Sequence, residues 1–485
     1  MVLLWRFSKK TQDRSKSMYH LSIAIDRRST ASLTEQISTG VRNAIRDGRL
    51  APGARLPSWQ DLATQLGVAR GTVRLAYEVL RDEQLISTAG AAGSHVAAQP
   101  VLPMQAQRGA DMRGVHAAAH SGVIPRRGAA ARPGIFQVAV PAQDAFPYKT
   151  WSRIMARSAR RAAASPLTYP DRCGEAELRA EIAAYLCIAR GMDCAPEQVF
   201  ITNGHAGALS FALQVLSLHG ERAWIENPCY PVSRDGLALA GMQAMPVPVD
   251  QEGMQVDVGM AVAGDAALAI VSPGQQAPLG VTLSLPRRLA LLDWAAQAGA
   301  WIIEDDYMGE LQLQARAAPA LAALDRAGRV LHIGTFSKTL SPALRVGFLV
   351  VPQSLVGRFA ETAATLYPAP SPTVQLAVAE FLRSGLYLRH LRHMKRLYGE
   401  RRMAIARALD QLGARNVPAG LSVLLQVFSD GDALAAARAA GMMPSALSGW
   451  FAAPDQAPQG LLLGATNVPA ERAHAYCARL LASVT

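Results

Sequence analysis

Residues 332–350 read HIGTFSKTLSPALRVGFLV. Two apolar runs flank a short polar turn, and Lys338 stands in that turn. The same grammar recurs earlier in the chain. QVFITNG (198–204), RAWIENP (222–228), AALAIVSP (266–273), AWIIEDD (300–306) and RVLHIGTFS (329–337) are short, nearly all apolar, and end in polar residues or glycine. Helical periodicity fills the stretches between several of them, as in SLPRRLALLDWAAQAG (284–299). Apolar strands alternating with helices predict an α/β domain whose largely parallel sheet is buried on both faces. Ligands of such sheets gather beyond the carboxyl ends of the strands. Asn203, Glu226, Asp305 and Lys338 are the polar residues at those ends.

The whole chain is longer than one ordinary domain, at 485 residues; two or three are expected. Half the residues are hydrophobic, yet no run approaches the ~18 needed to cross a bilayer. In the opening MVLLWRFSKK the apolar stretch is short and precedes its charges, unlike a secretory signal. Met18 is an alternative start, since residues 1–17 show no periodic pattern. The five cysteines (173, 187, 194, 229 and 477) form no C-x-x-C pair, which reads as free thiols in a reducing cytoplasm. Histidines and cysteines share no ligand spacing, so no metal site is expected.

The net charge is +12, and residues 1–134 hold ten of it, with 19 Lys/Arg against 9 Asp/Glu. A basic amino-terminal part suits a polyanion partner, nucleic acid first among them. The organisation reads as an extension over 1–29, a small helical domain over 30–98, a flexible linker rich in Ala, Gly, Arg and Pro over 99–134, and the α/β domain over 135–485.

In the small domain, Leu33, Ile37, Val41, Ala44 and Ile45 form one helical stripe. SWQDLATQLG (58–67) opens on Ser58 three residues before Asp61, a capping-box variant, and closes on Gly67. VARGTVRLAYEVLRDEQ (68–84) places Val73, Ala76, Tyr77 and Leu80 on one face and Arg70, Arg74 and Arg81 around another. Two short helices joined at Gly67 make a helix-turn-helix whose second helix would enter the major groove. LISTAGAAGSHV (85–96) can add a two-stranded wing. GRLAPGARLPS (48–58) and LATQLGVARGTV (62–73) resemble signatures of the GntR-family winged helix-turn-helix. That resemblance implies contacts to double-stranded DNA from Arg70, Thr72 and Arg74, with Ser58 and Gln60 at the start of the preceding helix. Trp59 and Gln60 stand where the family commonly has Ser-Arg, Ala69 and Gly71 where it has Ser and Asn, and the wing lacks the usual arginine and aromatic residue.

A strand-end lysine can form an imine with an aldehyde if it is partly desolvated. Pyridoxal 5'-phosphate (PLP) makes three further demands: a carboxylate for its ring nitrogen, amides, hydroxyls and a cation for its phosphate, and a flat face for its ring. The chain offers each at a different strand end: AWIIEDDY (300–307), ITNGHAGAL (201–209), IENPCYP (225–231) and GTFSKTLSPALR (334–345). TFSKTLSPALRVG, PVPVD, SLPRRLALL and IIEDDY together resemble fold-type I PLP proteins of the aspartate aminotransferase kind, over about 135–480.

Joined to the GntR-type module, this architecture resembles the MocR/GabR family of transcriptional regulators. The resemblance implies that Lys338 carries PLP as the internal aldimine. It implies that Asp305 pairs with the ring nitrogen, Tyr307 donates to the ring hydroxyl oxygen, and Tyr230 stacks on the ring. Thr335, Ser337, Arg345 and the amides of His205 and Ala206 would hold phosphate. Tyr169 would reach the phosphate of a neighbouring subunit, which implies a homodimer, usually head-to-tail.

The substrate side departs from that pattern. Gln275, Ala277 and Leu279 stand where the family has His, an asparagine (in the aminotransferases) and Thr; Met308 and Gly309 replace Asp-Ser; Leu462 replaces the arginine that grips an α-carboxylate. Three readings follow. The first is a PLP-dependent regulator whose aminotransferase-like domain senses PLP or an amino-compound effector, in vitamin B6 or amino-compound metabolism. The second is an active aminotransferase with a DNA-binding module. The third is a DNA-binding dimer that has lost its cofactor.

Overall fold

The structure is a computed structural model. It describes residues 21–27, 29–88, 93–98, 133–165, 169–313, 318–366 and 369–484. Most of the expected linker, the wing tip and residues 1–20 lie outside that set. The described residues fall into two compact units, one within 1–116 and one within 117–485.

The first unit holds helices α1 (Leu33–Arg46), α2 (Trp59–Leu66) and α3 (Arg70–Asp82), and strands β1 (Ile86–Thr88) and β2 (Ser94–Val96). Ser32 and Ser58 cap α1 and α2 by accepting hydrogen bonds from the Glu35 and Asp61 amides. Gly67 ends α2 in the left-handed region, φ 63°, which a glycine adopts without strain. The apolar stripes of the three helices meet in one core with Ile37, Val41, Leu62, Val73 and Leu80 inside. β1 and β2 pair antiparallel, Ile86 opposite Val96, and form the wing's stem. The core reaches back to Leu21, so part of the expected 1–29 extension packs with this unit.

The second unit is built on strands β3 (Val199–Thr202), β4 (Arg222–Asn227), β5 (Gln243–Asp250), β6 (Gly253–Met254), β7 (Leu268–Val271), β8 (Trp301–Asp306), β9 (Val330–Thr335) and β10 (Gly347–Val350). Their order is β3-β10-β9-β8-β7-β4-β5-β6. The centre, β9 to β5, is parallel, while β10 runs antiparallel to both its neighbours. Successive residues alternate between two cores, as period-two pleating requires. Ile225, Ile270 and Ile303 enter one; Trp224, Ala269 and Ile302 enter the other, where Trp224 stacks on Trp294 with ring centroids 3.8 Å apart.

Register brings Thr202, Gly347 and Thr335 level at one edge, beside the carboxyl ends of β8 and β4. A smaller antiparallel sheet follows, from β11 (Asn416–Ala419), β12 (Ser422–Gln426), β13 (Ser445–Ala446) and β14 (Gly460–Gly464), in the order β11-β12-β14-β13.

Candidate functional site

A cavity of about 330 Å3 opens at the carboxyl edge of the large sheet. Lys338, Asp305, Tyr307, Tyr230, His205, Ala206, Thr335, Ser337 and Arg345 all line it. Tyr169 does not; it is exposed, with the Arg172 guanidinium 5.2 Å from its ring centroid.

Lys338 sits in the turn that leaves β9, and its Nζ donates to the Ala139 carbonyl at 2.7 Å. Burial lowers its amine to about 8, although Asp305 opposes the shift and Arg345 adds to it. Asp305, near the end of β8, is buried at 3% exposure. Among the described residues, its Oδ1 has no hydrogen-bond partner. His205 Nδ1 stands 3.2 Å away, but the two are not aligned to bond, and both His205 ring nitrogens are likewise unpartnered. A buried carboxylate oxygen left in this state is costly unless something else supplies the donor. The Tyr230 ring meets His205 edge-on at 5.6 Å, and burial pushes its phenol up to about 12. Burial also holds the Tyr307 phenol well above its ordinary value, with Asp305 reinforcing it.

The helix Gly204–Leu216 begins just after β3, and His205 and Ala206 of its first turn line the cavity. A Cβ on Gly204 would stand 3.6 Å from the Arg345 guanidinium, so that cation borders the helix's first turn. Arg345 Nη2 donates to the Asn203 carbonyl at 2.7 Å. Thr335 Oγ1 donates to Ser337 Oγ at 3.0 Å and accepts from the Ser337 amide at 3.1 Å. Amides at a helix start, two hydroxyls and a guanidinium form a ready anion cradle.

Buried ion pairs fix the strands beneath. His332 Nδ1 lies 2.9 Å from Glu304 Oε2, and Arg190 Nε donates to Asp306 Oδ2 at 2.7 Å. These pairs join β8 to β9 and to the helix Ala176–Arg190, holding Asp305 and the lysine turn in register.

In the amino-terminal unit, Ser58, Gln60, Arg70 and Arg74 are exposed and Thr72 is half-buried. The Ser58 hydroxyl is engaged by the cap: it accepts from the Asp61 amide and donates to Asp61 Oδ2 at 2.7 Å. Arg74 pairs with Glu78 one turn later, at 3.1 Å.

Residues 33–96 match the bacterial regulatory proteins of the gntR family, and residues 142–440 match aminotransferase class I and II. The probable rhizopine catabolism regulatory protein MocR of Rhizobium meliloti is 33% identical over 92% of each chain. The chain belongs to the MocR-type transcriptional regulators. The pyridoxine biosynthesis regulator PdxR of Corynebacterium glutamicum is 32% identical, over 81% of this chain and 82% of its own. Among solved structures, the α-aminoadipate aminotransferase LysN of Thermus thermophilus superposes with a TM-score of 0.63 at 26% identity, covering 71% of this chain and 90% of its own.

Sequence reasoning missed part of this MocR-type cavity. Val138, Ala139 and Val140 wall it from just beyond the expected linker, and Gly420, Leu421, Trp450 and Thr466 wall it from around the small sheet. None of these carries a motif. Only the folded cavity shows their place, with Val138 and Trp450 in one cluster with Tyr230 and Leu462.

Proposed function

We propose that this protein is a cytoplasmic, homodimeric regulator that binds PLP on Lys338 and lets that site, through PLP or an amino-compound effector, control DNA binding. The orphaned Asp305 Oδ1 carries the reading: a protonated ring nitrogen is the donor that this buried oxygen lacks. Lys338 supplies the attaching amine, Tyr230 a ring face, and Tyr307 a phenol for the ring hydroxyl oxygen. Thr335, Ser337, Arg345 and the His205 and Ala206 amides hold the phosphate. When bound, PLP supplies an electron-withdrawing ring next to whatever amine enters. LysN, a relative in fold, is seen with N-(5'-phosphopyridoxyl)-L-leucine, and PdxR is named for pyridoxine biosynthesis. Both support a vitamin B6 or amino-compound signal.

Tyr169, exposed and away from its own chain's cavity, is free to serve a neighbouring subunit's phosphate, which supports the head-to-tail dimer. In the amino-terminal unit, Arg70, Thr72 and Arg74 face DNA, with Ser58 and Gln60 beside them. The 99–134 stretch serves as linker between the 30–98 and 135–485 domains.

The test has two parts. Borohydride reduction after PLP incubation should leave a pyridoxyl mass on Lys338, and its absence would sink the cofactor reading. Titration of the DNA upstream of this protein's own gene should then give different affinities with and without PLP. A second reading, an active aminotransferase with a DNA-binding module, draws on the same lysine. Robust turnover of common amino and keto acids would favour it; the uncharged wall around Leu462 weighs against it.

A further inference from the structure

We infer that the effector seated beside Lys338 is a primary amine with an uncharged, largely apolar tail and no carboxylate, its tail lying against a wall formed by Ala277, Leu421, Trp450 and Leu462. This rests on the functional reading above and adds the chemistry of the ligand.

The cavity is divided by charge. Among the described residues that line it, the lysine and arginine side chains are Lys338 and Arg345, and the carboxylate is Asp305. Lys338 and Asp305 stand at the attachment end, and Arg345 is anchored to Asn203 at the anion cradle. Of the cavity's apolar lining, Ala277, Ala419, Trp450 and Leu462 belong to one cluster, with Val138, Tyr230, Tyr307 and Leu424 packed against it, and Leu421 lines the cavity from the neighbouring core. Leu462 is 1% exposed and faces Leu424 across β12–β14.

Polar groups next to this wall are spent elsewhere. Trp450 Nε1 donates to Ser445 Oγ at 3.1 Å, and Thr466 Oγ1 donates to the Val140 carbonyl at 2.5 Å. Arg402 donates to the Gly420 carbonyl at 2.7 Å without lining the cavity, and Arg234 is held by the Phe451 carbonyl at 2.6 Å. Gln275 and Ser422, which also line the cavity, are neutral.

A carboxylate pressed against such a wall would lose its water and gain no counter-charge. A second ammonium would fare no better, because the wall holds no anion. An alkyl or aromatic tail loses nothing and buries apolar area. The cavity is at the small end for ligand sites, which suits a compact monoamine.

The experiment compares phenethylamine with phenylalanine, which differ only by the carboxylate. Both are titrated calorimetrically into the full-length protein already loaded with PLP, with loading verified by the borohydride-reduced mass on Lys338. Phenethylamine is expected to bind about tenfold more tightly or better, a difference of ~1.4 kcal/mol per factor of ten. The variant Leu462→Arg, checked for folding by circular dichroism, should narrow or reverse that ratio. Equal affinity, tighter binding of phenylalanine, or no binding of either by loaded protein overturns the inference. Failure to load PLP at all overturns the functional reading, and the inference with it, and the mass measurement shows which has failed.

Discussion

Lys338 Nζ donates to the carbonyl oxygen of Ala139 at 2.7 Å, joining the turn after β9 to a residue just past the expected linker. Ala139 is held in the left-handed region at φ 64°, and Phe136 at φ 63°. A residue with a Cβ pays ~1–2 kcal/mol there. The bond therefore braces a strained stretch of cavity wall.

Replacing Ala139 tests the strain directly. Ala139→Gly should leave the PLP-free protein as stable as before or raise its stability by up to about 1 kcal/mol. Ala139→Val should destabilise it, because β-branched residues tolerate positive φ least. Thermal unfolding of both variants measures this. A valine variant as stable as the parent would show that the wall is not strained.

The lysine's reactivity should titrate with the protein, not with free lysine. The uncharged amine is the nucleophile, and burial brings its value down to about 8. Attachment of PLP should speed up roughly tenfold per pH unit below 8 and level off above it. Asp305→Asn removes the charge that favours the ammonium form, so the midpoint should move lower still. Absorbance stopped-flow across pH 6–10 reads both; a midpoint near the ordinary lysine value would contradict the buried environment.

Glu226 gives a stability prediction with a definite sign. It is buried at the end of β4, and burial pushes its carboxyl up to about 8 against the bonds from Ser272. Between its ordinary value near 4.5 and about 8, the folded chain keeps a proton that the unfolded chain has released. Stability from this group therefore falls as pH rises through that window. Glu226→Gln should remove the slope, matching the parent near pH 5 and exceeding it at pH 8 by about 1 kcal/mol or more. Denaturant unfolding at the two pH values checks it; a parallel loss at both would show that the carboxylate is needed charged.

The sequence showed some parts of this site plainly and hid others, for a physical reason. Asp305 lies near the end of an apolar strand and Lys338 in the turn just after one, and a strand's period and its polar terminus are local features. Ser58, Asp61 and Gly67 likewise bound α2 through chemistry within a few residues. The far wall has no local signature. Trp450 and Leu462 come together with Ala277 through the small sheet and its loops, and Val138 arrives from the other end of the domain. The Lys338–Ala139 bond spans 199 residues. The antiparallel β10 is equally unmarked, since an apolar run in a doubly buried sheet reads the same in either direction.

The Arg74–Glu78 pair makes the last test, on the DNA side. Arg74 is expected to meet a phosphate from α3, yet Glu78 Oε1 lies 3.1 Å from its Nε. Binding DNA must exchange one anion for another. The exposed pair is worth at most about 1 kcal/mol, so the exchange is cheap but measurable. Arg74→Ala should weaken binding to every DNA fragment alike and lower the salt slope by about 1. Glu78→Gln should do the reverse, tightening binding by up to about fivefold at low salt and less as salt rises. Fluorescence anisotropy titrations from low to high salt distinguish them. If Arg74→Ala changes nothing, α3 does not meet the backbone through this face. If Glu78→Gln weakens binding, the carboxylate positions Arg74 instead of competing for it.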